Sequence, residues 1–131
     1  MSENYEGPER REFVRIPYSS PLSYKVCKPE TLLKLFQGYT VDVSNKGLRC
    51  TIKQPVNIND IVWLSFDRSV LTFCAEIERY SLIYQHGIIA KVVRIQQISD
   101  TSFDIGVKFL TIREKDSQEI TEKTRLLGPD A

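Results

Sequence analysis

The sequence predicts a mainly β domain, either a barrel or a sandwich, followed by a C-terminal α-helix. Apolar residues alternate with polar ones in short runs between about residues 17 and 110, and this period of two is typical of half-buried strands. Turn-forming residues separate the runs, at Asn45–Gly47, Pro55–Asp60, His86–Gly87 and Ser99–Asp100. Six or seven short strands at this spacing favour a barrel or a sandwich.

The strands follow one another in chain order, and each is recognised by its apolar positions. The alternating runs are PLSYKV (Leu22, Tyr24, Val26), YTVDVS (Tyr39, Val41, Val43), LRCTI (Leu48, Cys50, Ile52), LTFCAEIERY (Leu71, Phe73, Ala75, Ile77) and FDIGVKF (Phe103, Ile105, Val107, Phe109). Two more continuously apolar runs, IVWLSF at 61–66 and IIAKVVRI at 88–95, are typical of central strands. The segment KPETLLKLFQG fits either one helical turn beginning at Pro29 or a wide hairpin loop.

The segment after Phe109 predicts a helix over about 112–127, with Thr111 as a cap and Gly128-Pro129 as a stop. Its apolar stripe is thin, so we expect one narrow face to pack on the barrel and the rest to be available to a partner. The length of 131 residues indicates one domain. We expect a flexible tail at 1–8 and a domain at 9–127, with the barrel at about 17–110.

Composition disfavours several classes of function. Lys and Arg number 18 and Asp and Glu 17, which argues against non-specific binding to DNA or RNA. Cys27, Cys50 and Cys74 form no CxxC pair, and His86 is the sole histidine, so we expect reduced thiols, no metal and no cofactor. The chain has neither an apolar run long enough for membrane insertion nor a catalytic motif. We therefore expect a cytoplasmic protein that is not an enzyme.

A polar motif, DVSNKG at 42–47, spans the end of the second predicted strand and the turn before the third. Strand parity predicts that Asp42 and Ser44 project together from the outer face, while Val41 and Val43 point inward. Gly47 permits a positive φ or the close approach of a ligand or backbone. On its own, the motif fits equally a plain hairpin whose polar side chains satisfy turn amides.

An arginine cluster lies ahead of the first strand, in the segment ERREFVRI at 9–16. Arg11 and Arg15 are four positions apart, and Arg10 stands directly before them. On its own, this cluster fits an exposed segment neutralised by Glu9 and Glu12.

Taken together and in this order, R-x-x-x-R and D-x-S-x-x-G resemble the PilZ domain family, bacterial receptors for cyclic di-GMP. The resemblance spans roughly residues 9–125 and extends to the flanking RREFVRI, GLRC and FDIGVKFLTI. It implies a six-stranded antiparallel barrel with a C-terminal helix. The segment between Phe66 and Ile88 is longer than a minimal barrel requires, and we expect it to extend a hairpin.

The resemblance also implies a ligand site. The residues that it assigns to cyclic di-GMP are Arg10, Arg11, Arg15, Asp42, Ser44 and Gly47. Arginines suit both the phosphates and the guanine edge, Asp42 accepts from guanine N–H groups, Ser44 adds a hydroxyl and Gly47 leaves space. Arg10 is expected to accompany binding of a stacked pair of ligand molecules. We expect the arginine segment to become ordered on binding and so to change the surface offered to an effector protein.

Two other functions remain open. A PilZ-like adaptor would bind protein partners without binding nucleotide. An RNA- or single-strand-binding barrel would present surface aromatics interleaved with Lys and Arg, whereas the aromatics here fall mostly on inward positions.

Overall fold

The computed structural model describes residues 14–130, in which six antiparallel strands close into a barrel, as predicted. The strands are β1 (Ile16–Pro17), β2 (Pro21–Val26), β3 (Phe36–Val43), β4 (Gly47–Ile52), β5 (Ile61–Phe66), β6 (Ile83–Tyr84), β7 (Gly87–Ser99) and β8 (Ser102–Phe109). The barrel order is β3-β2-β5-β7-β8-β4, and pairing of β4 with β3 closes it. The short β1 and β6 add to β3 and β7.

The barrel interior is filled by inward-facing side chains from all six strands. Leu48, Cys50 and Ile52 of β4 lie opposite Val107, Ile105 and Phe103 of β8, in the register that the alternating pattern predicts. Leu48, Cys50 and Ile52 are buried, as are Val107 and Ile105. Tyr24 is the largest fully buried side chain, and its ring packs on Phe36 at 5.3 Å between centroids.

A second, smaller core lies outside the barrel. Ile89 of β7, Ile61 of β5 and Leu110 face outward there and are buried beneath Ile120. Burial on both faces explains why IVWLSF and IIAKVVRI are continuously apolar instead of alternating.

The C-terminal segment that covers this second core is divided in two. A 3₁₀ helix runs over Ile112–Asp116 and helix α2 over Gln118–Arg125, and Ser117 separates them as the N-cap of α2, accepting a hydrogen bond from Ile120 N at 3.3 Å. The range predicted as one helix, about 112–127, is therefore interrupted. Gln85 holds the end of the chain, since its side-chain amide donates to the carbonyls of Leu127 and Pro129.

The prediction of a strand at 71–80 is wrong, because Cys74–Tyr80 forms helix α1. Cys74 and Ile77 lie on its inner side, and Leu71 is buried three residues ahead of Cys74, whereas Ala75, predicted to face inward, is exposed. The hairpin extension expected between Phe66 and Ile88 is limited to the pairing of β6 with the start of β7, and α1 occupies the middle of the span. Alternation and a helical stripe coincide at Leu71 and Ile77, so the period alone did not separate the two.

A β-bulge in β3 changes the predicted parity of that strand. Thr40 pairs with Cys50 and Asp42 with Arg49, so that Val41 is an extra residue on β3. As a result Tyr39, predicted to point inward, is 60% exposed, while Thr40 is buried. The ambiguous segment KPETLLKLFQG contains turns over 29–33 and no helix, and β3 begins at Phe36.

Candidate functional site

A row of four outward-facing positions crosses the barrel from β3 to β7. Asp42 on β3 pairs with Arg49 on β4, Arg49 pairs with Gly106 on β8, and Gly106 pairs with Arg94 on β7. Strand alternation sets Arg49 and Gly106 on the outer face, and bulges at Val41 and Val93 bring Asp42 and Arg94 to the same face. The second motif thus opens onto a surface built from four strands.

Charged side chains form an alternating network along this row. Arg15 Nη1 donates to Asp42 Oδ1 at 2.7 Å, and Arg49 Nε lies 3.1 Å from Asp42 Oδ2. Arg49 Nη1 lies 3.5 Å from Asp104 Oδ2, and Arg94 Nη2 lies 3.8 Å from Asp104 Oδ1. Three arginines and two aspartates leave one net positive charge. The first motif's Arg15 and the second motif's Asp42 are therefore in direct contact.

An open pocket of about 540 Å³ lies over this network. Its lining residues are Arg15, Asp42, Arg49, Val93, Arg94, Gly106 and Val107. Gly106 forms the floor, because a Cβ there would lie 3.5 Å from Arg94 Cβ and would begin to fill the space between Arg49 and Arg94. The volume lies within the range of about 300–1,000 Å³ that is usual for small-ligand sites.

Two polar atoms of the network are buried without a hydrogen bond from any residue between 14 and 130. They are Arg49 Nε, which is close to Asp42 but not aligned for a hydrogen bond, and Asp104 Oδ1. Buried polar atoms are rarely left unpaired. Both atoms are closed to solvent and Asp104 does not line the pocket, so they belong to the network beneath the pocket and are not contact points on its surface.

Ser44 does not project beside Asp42 as predicted but is buried in the hairpin turn. Its hydroxyl donates to the Gly47 carbonyl at 3.2 Å and accepts from Lys46 N at 3.1 Å. Parity fails at this position because the strand ends at Val43 and Ser44 begins the turn. Ser44 therefore stabilises the backbone that carries Asp42.

Gly47 serves a close backbone approach. A Cβ at Gly47 would lie 2.2 Å from the Val107 carbonyl oxygen, so no other residue fits without moving β8. Its φ is not positive, since Gly128 is the one positive-φ glycine within 14–130. The sequence predicted that either a ligand or the backbone would approach Gly47 closely. In the structure, the backbone of β8 does so.

Of the six site residues taken from the sequence, Arg10 and Arg11 lie outside the described residues. Arg15 and Asp42 line the pocket, whereas Ser44 and Gly47 lie behind it. Arg94, Asp104 and Gly106 were not among the predicted site residues. Asp104 and Gly106 stood at outward positions of a predicted strand, whereas Arg94 stood in a continuously apolar run with no predicted parity. Only the barrel order, which places β8 between β4 and β7, brings the three residues to this surface.

The thiols take no part in the pocket. Burial, aided by the negative charge of Asp104, raises the pKa of Cys50 to about 12, and burial raises the pKa of Cys27 to about 11. In the described part of the chain, no group of three or more His, Cys, Asp and Glu residues is placed to hold a metal ion. No helix within 14–130 has the length and apolar character needed to cross a membrane.

Two solved structures are similar to this fold. The structure is similar to that of the Bacillus subtilis inhibitor of motility (MotI/DgrA), with a TM-score of 0.48 and 12% identity over 90% of this chain and 47% of that one. It is also similar to the PilZ domain of CeSA from a cellulose synthesizing bacterium, with a TM-score of 0.40 and 15% identity over 87% of this chain and 94% of that one. The chain thus spans about half the length of MotI.

No curated protein gives a significant match to the sequence. The PilZ domain family model matches residues 9–125, which include both motifs and every barrel strand. PilZ domains are a family of cyclic di-GMP receptors and act as binding and adaptor domains. This chain belongs to the PilZ domain family.

Proposed function

We propose that the protein binds cyclic di-GMP in the outer-face pocket and passes the signal to a partner protein, without catalysing a reaction. The observation that carries this proposal is the 2.7 Å contact between Arg15 of the first motif and Asp42 of the second, at the mouth of a 540 Å³ pocket. Residues 27 positions apart in sequence thereby share one concave surface.

The chemistry of the pocket suits a guanine dinucleotide. Guanidinium groups fork onto phosphate oxygens or onto the O6 and N7 edge of guanine, and they also stack on the base. Arg15 and Arg94 are half-exposed and therefore available to phosphates. Asp42, which lines the pocket, offers carboxylate acceptors for guanine N1–H and N2–H.

The proposal also includes Arg10 and Arg11, which lie outside the described residues. Arg11 precedes Arg15 by four residues, a span of at most about 14 Å, so it can reach a ligand in the pocket. We propose that this segment becomes ordered over the ligand and that Arg10 stacks on a second ligand molecule. Ordering costs about 1–2 kcal/mol of backbone entropy per residue, which several charge-assisted hydrogen bonds of about 1.5–3 kcal/mol each would offset.

Ser44 and Gly47 act on the ligand indirectly in this proposal. Ser44 fixes the turn that follows Asp42, and Gly47 lets β4 approach β8 closely enough to bring Arg49 beside Gly106. Their part is to position the charged side chains.

Isothermal titration calorimetry of the full chain with cyclic di-GMP tests the proposal. We expect saturable binding to cyclic di-GMP but not to GTP or a short RNA, with a stoichiometry of one or two ligands per chain that reports on Arg10. Arg15→Ala and Asp42→Ala should each weaken binding roughly tenfold or more, the value of one charge-assisted hydrogen bond. Arg125→Ala, which removes an exposed arginine outside the pocket, is the matched control.

The alternative is a PilZ adaptor that binds a partner protein without nucleotide. The same ion network favours it, because Arg15 and Asp42 satisfy each other without a ligand. Absence of heat with every nucleotide, in a chain that melts cooperatively, would reject the first function and leave the adaptor.

A further inference from the structure

A second concave surface lies beside the turn of the D-x-S-x-x-G motif, on the side of helix α1. It is a groove of about 420 Å³ formed by the turn after β3, the C-terminal end of α1 and the start of the 3₁₀ helix. We propose that this groove binds an acidic segment of a partner protein that carries one large apolar side chain. The lining residues are Lys46, Arg79, Tyr80, Thr111, Ile112 and Arg113.

The charged residues that line the groove are all basic. Lys46, Arg79 and Arg113 come from three different elements, and none of them forms an ion pair with a residue in 14–130. No acidic residue lines the groove. Three cations with no carboxylate among the lining residues favour an anionic occupant.

The acidic residues of the neighbouring elements are already engaged elsewhere. Glu76 accepts a hydrogen bond from Asn45 at 2.5 Å, Glu78 pairs with Arg68, and Glu114 accepts from Thr111 N at 2.8 Å in a capping box. They are therefore already bonded within the protein, although Glu76 and Glu114 lie next to the groove residues Lys46 and Thr111. The basic character of the groove is thus fixed by local structure.

Apolar surface is exposed in the same place. Tyr80 is 54% exposed and Ile112 is 52% exposed, and both line the groove. An aromatic and an aliphatic side chain together fit the apolar side chain of a peptide, whereas single-stranded nucleic acid favours a series of aromatic platforms. The occupant is therefore an acidic peptide segment with an apolar anchor.

The motif turn connects this groove with the pocket on the barrel. Lys46 faces the groove, its backbone N–H donates to Ser44, and Asn45 is bonded to Glu76 of α1. The Asn45–Glu76 bond joins the motif turn to the first turn of α1, so a ligand that pulls on Asp42 would act on Lys46 and on α1 together. This coupling rests on the proposed function, but binding of a peptide to the groove does not.

The test uses NMR on the full chain and three synthetic peptides of about eight residues, without cyclic di-GMP. The probe is an Asp/Glu peptide with a central Leu-Phe pair. In one control Ser-Ser replaces Leu-Phe, and in the other Lys replaces the acids. We expect the probe to give saturable amide shifts at Lys46, Tyr80 and Arg113, and each control to give weaker ones.

Variants sharpen the test. Arg79→Ala and Arg113→Ala should each weaken binding of the probe by roughly 1.5- to 5-fold, as expected for one exposed charge pair, and Arg125→Ala should leave it unchanged. Thermal melts establish that each variant is folded. Shifts that map elsewhere, equal binding of the Lys peptide, or stronger binding of an oligo-dT strand at the same amides would overturn the proposal. Because cyclic di-GMP is absent, failure here is distinct from failure of the nucleotide site.

Discussion

Asp42 and Arg49 occupy paired positions on β3 and β4, and Arg49 Nε lies 3.1 Å from Asp42 Oδ2. Arg15 approaches the other carboxylate oxygen at 2.7 Å, so that Asp42 lies between two guanidinium groups. An incoming phosphate must therefore compete with a carboxylate for these arginines. Binding would therefore exchange ion partners within the pocket.

Gly106 forms the floor of the pocket, and its replacement tests whether the ligand occupies that space. Gly106→Leu should lower the affinity for cyclic di-GMP roughly tenfold or more, because the side chain would extend between Arg49 and Arg94. The free energy of unfolding should change by less than about 1 kcal/mol, since a Cβ at Gly106 meets nothing closer than 3.5 Å. Calorimetry and urea denaturation measure the two quantities.

Gly106→Ala provides the size-graded control. Its methyl group should reduce affinity less than leucine does. If leucine were tolerated with unchanged affinity in a folded variant, the ligand would bind elsewhere on the barrel.

Gly47 belongs to the D-x-S-x-x-G motif, yet we expect its replacement to lower the stability of the fold. Gly47→Ala would place a Cβ 2.2 Å from the Val107 carbonyl oxygen, so β4 or β8 must shift. We expect a loss of about 1–3 kcal/mol in the free energy of unfolding, the usual cost of overpacking. Urea denaturation measures it, with Gly106→Ala as the matched control on the neighbouring strand, and equal stability of the two variants would contradict this reading.

Ser44 should likewise contribute through the turn. Ser44→Ala removes one hydrogen bond to the Gly47 carbonyl and one from Lys46 N, so we expect a loss of about 1 kcal/mol in stability. The affinity for cyclic di-GMP should fall less than in Asp42→Ala. A loss of affinity as large as that of Asp42→Ala, with stability unchanged, would mean that Ser44 touches the ligand directly.

Because two thiols are buried, we expect the free energy of unfolding to decrease at alkaline pH. The pKa of Cys50 is raised from 9.0 to about 12, and that of Cys27 from 9.0 to about 11. Above pH 9 the unfolded chain loses these protons while the folded chain keeps them. The stabilisation is thus complete below pH 9 and is lost as the pH rises toward 11–12, by at most about 1.4 kcal/mol per pH unit for each thiol.

Urea denaturation of the wild type and Cys50→Ala between pH 8 and 11 isolates this effect. We expect the variant to be less stable at pH 8 because of the cavity it leaves, but to lose stability less steeply with pH. Its affinity for cyclic di-GMP should stay unchanged, since Cys50 faces the barrel interior. Parallel pH dependences would assign the effect to other groups.

Most strands were predictable from the sequence because they alternate, and the resemblance selected a barrel over a sandwich. The turn between β6 and β7 is an exception to the expected turn residues, since Gln85 and His86 both have positive φ there, whereas Gly87, predicted in the turn, begins β7. Helix α1 was missed because Leu71 and Ile77 satisfy both periods. Only the packing of Ile77 against the barrel distinguishes them.

The candidate site was predictable only in part. Asp42 and Arg15 stand in recognisable motifs, but their contact arises because β1 pairs with the end of β3, where Pro17 lies opposite Asp42. Arg94 and Asp104 carry no motif, and they reach Arg49 because β8 lies between β4 and β7 in the barrel. Long-range strand order of this kind is not encoded in local alternation.

The extra residue in β3 constrains how this strand can change in length. Removing Val41 would join Thr40 directly to Asp42 in an unbroken ladder, and both would keep their faces, Thr40 inside opposite Cys50 and Asp42 outside opposite Arg49. Forcing Val41 into the ladder without the bulge would instead turn over the first half of the strand, so that Tyr39 would enter the interior and Thr40 would leave it. Position 41 should accordingly accept many substitutions and also a deletion, because the bulge already takes this residue out of the alternation.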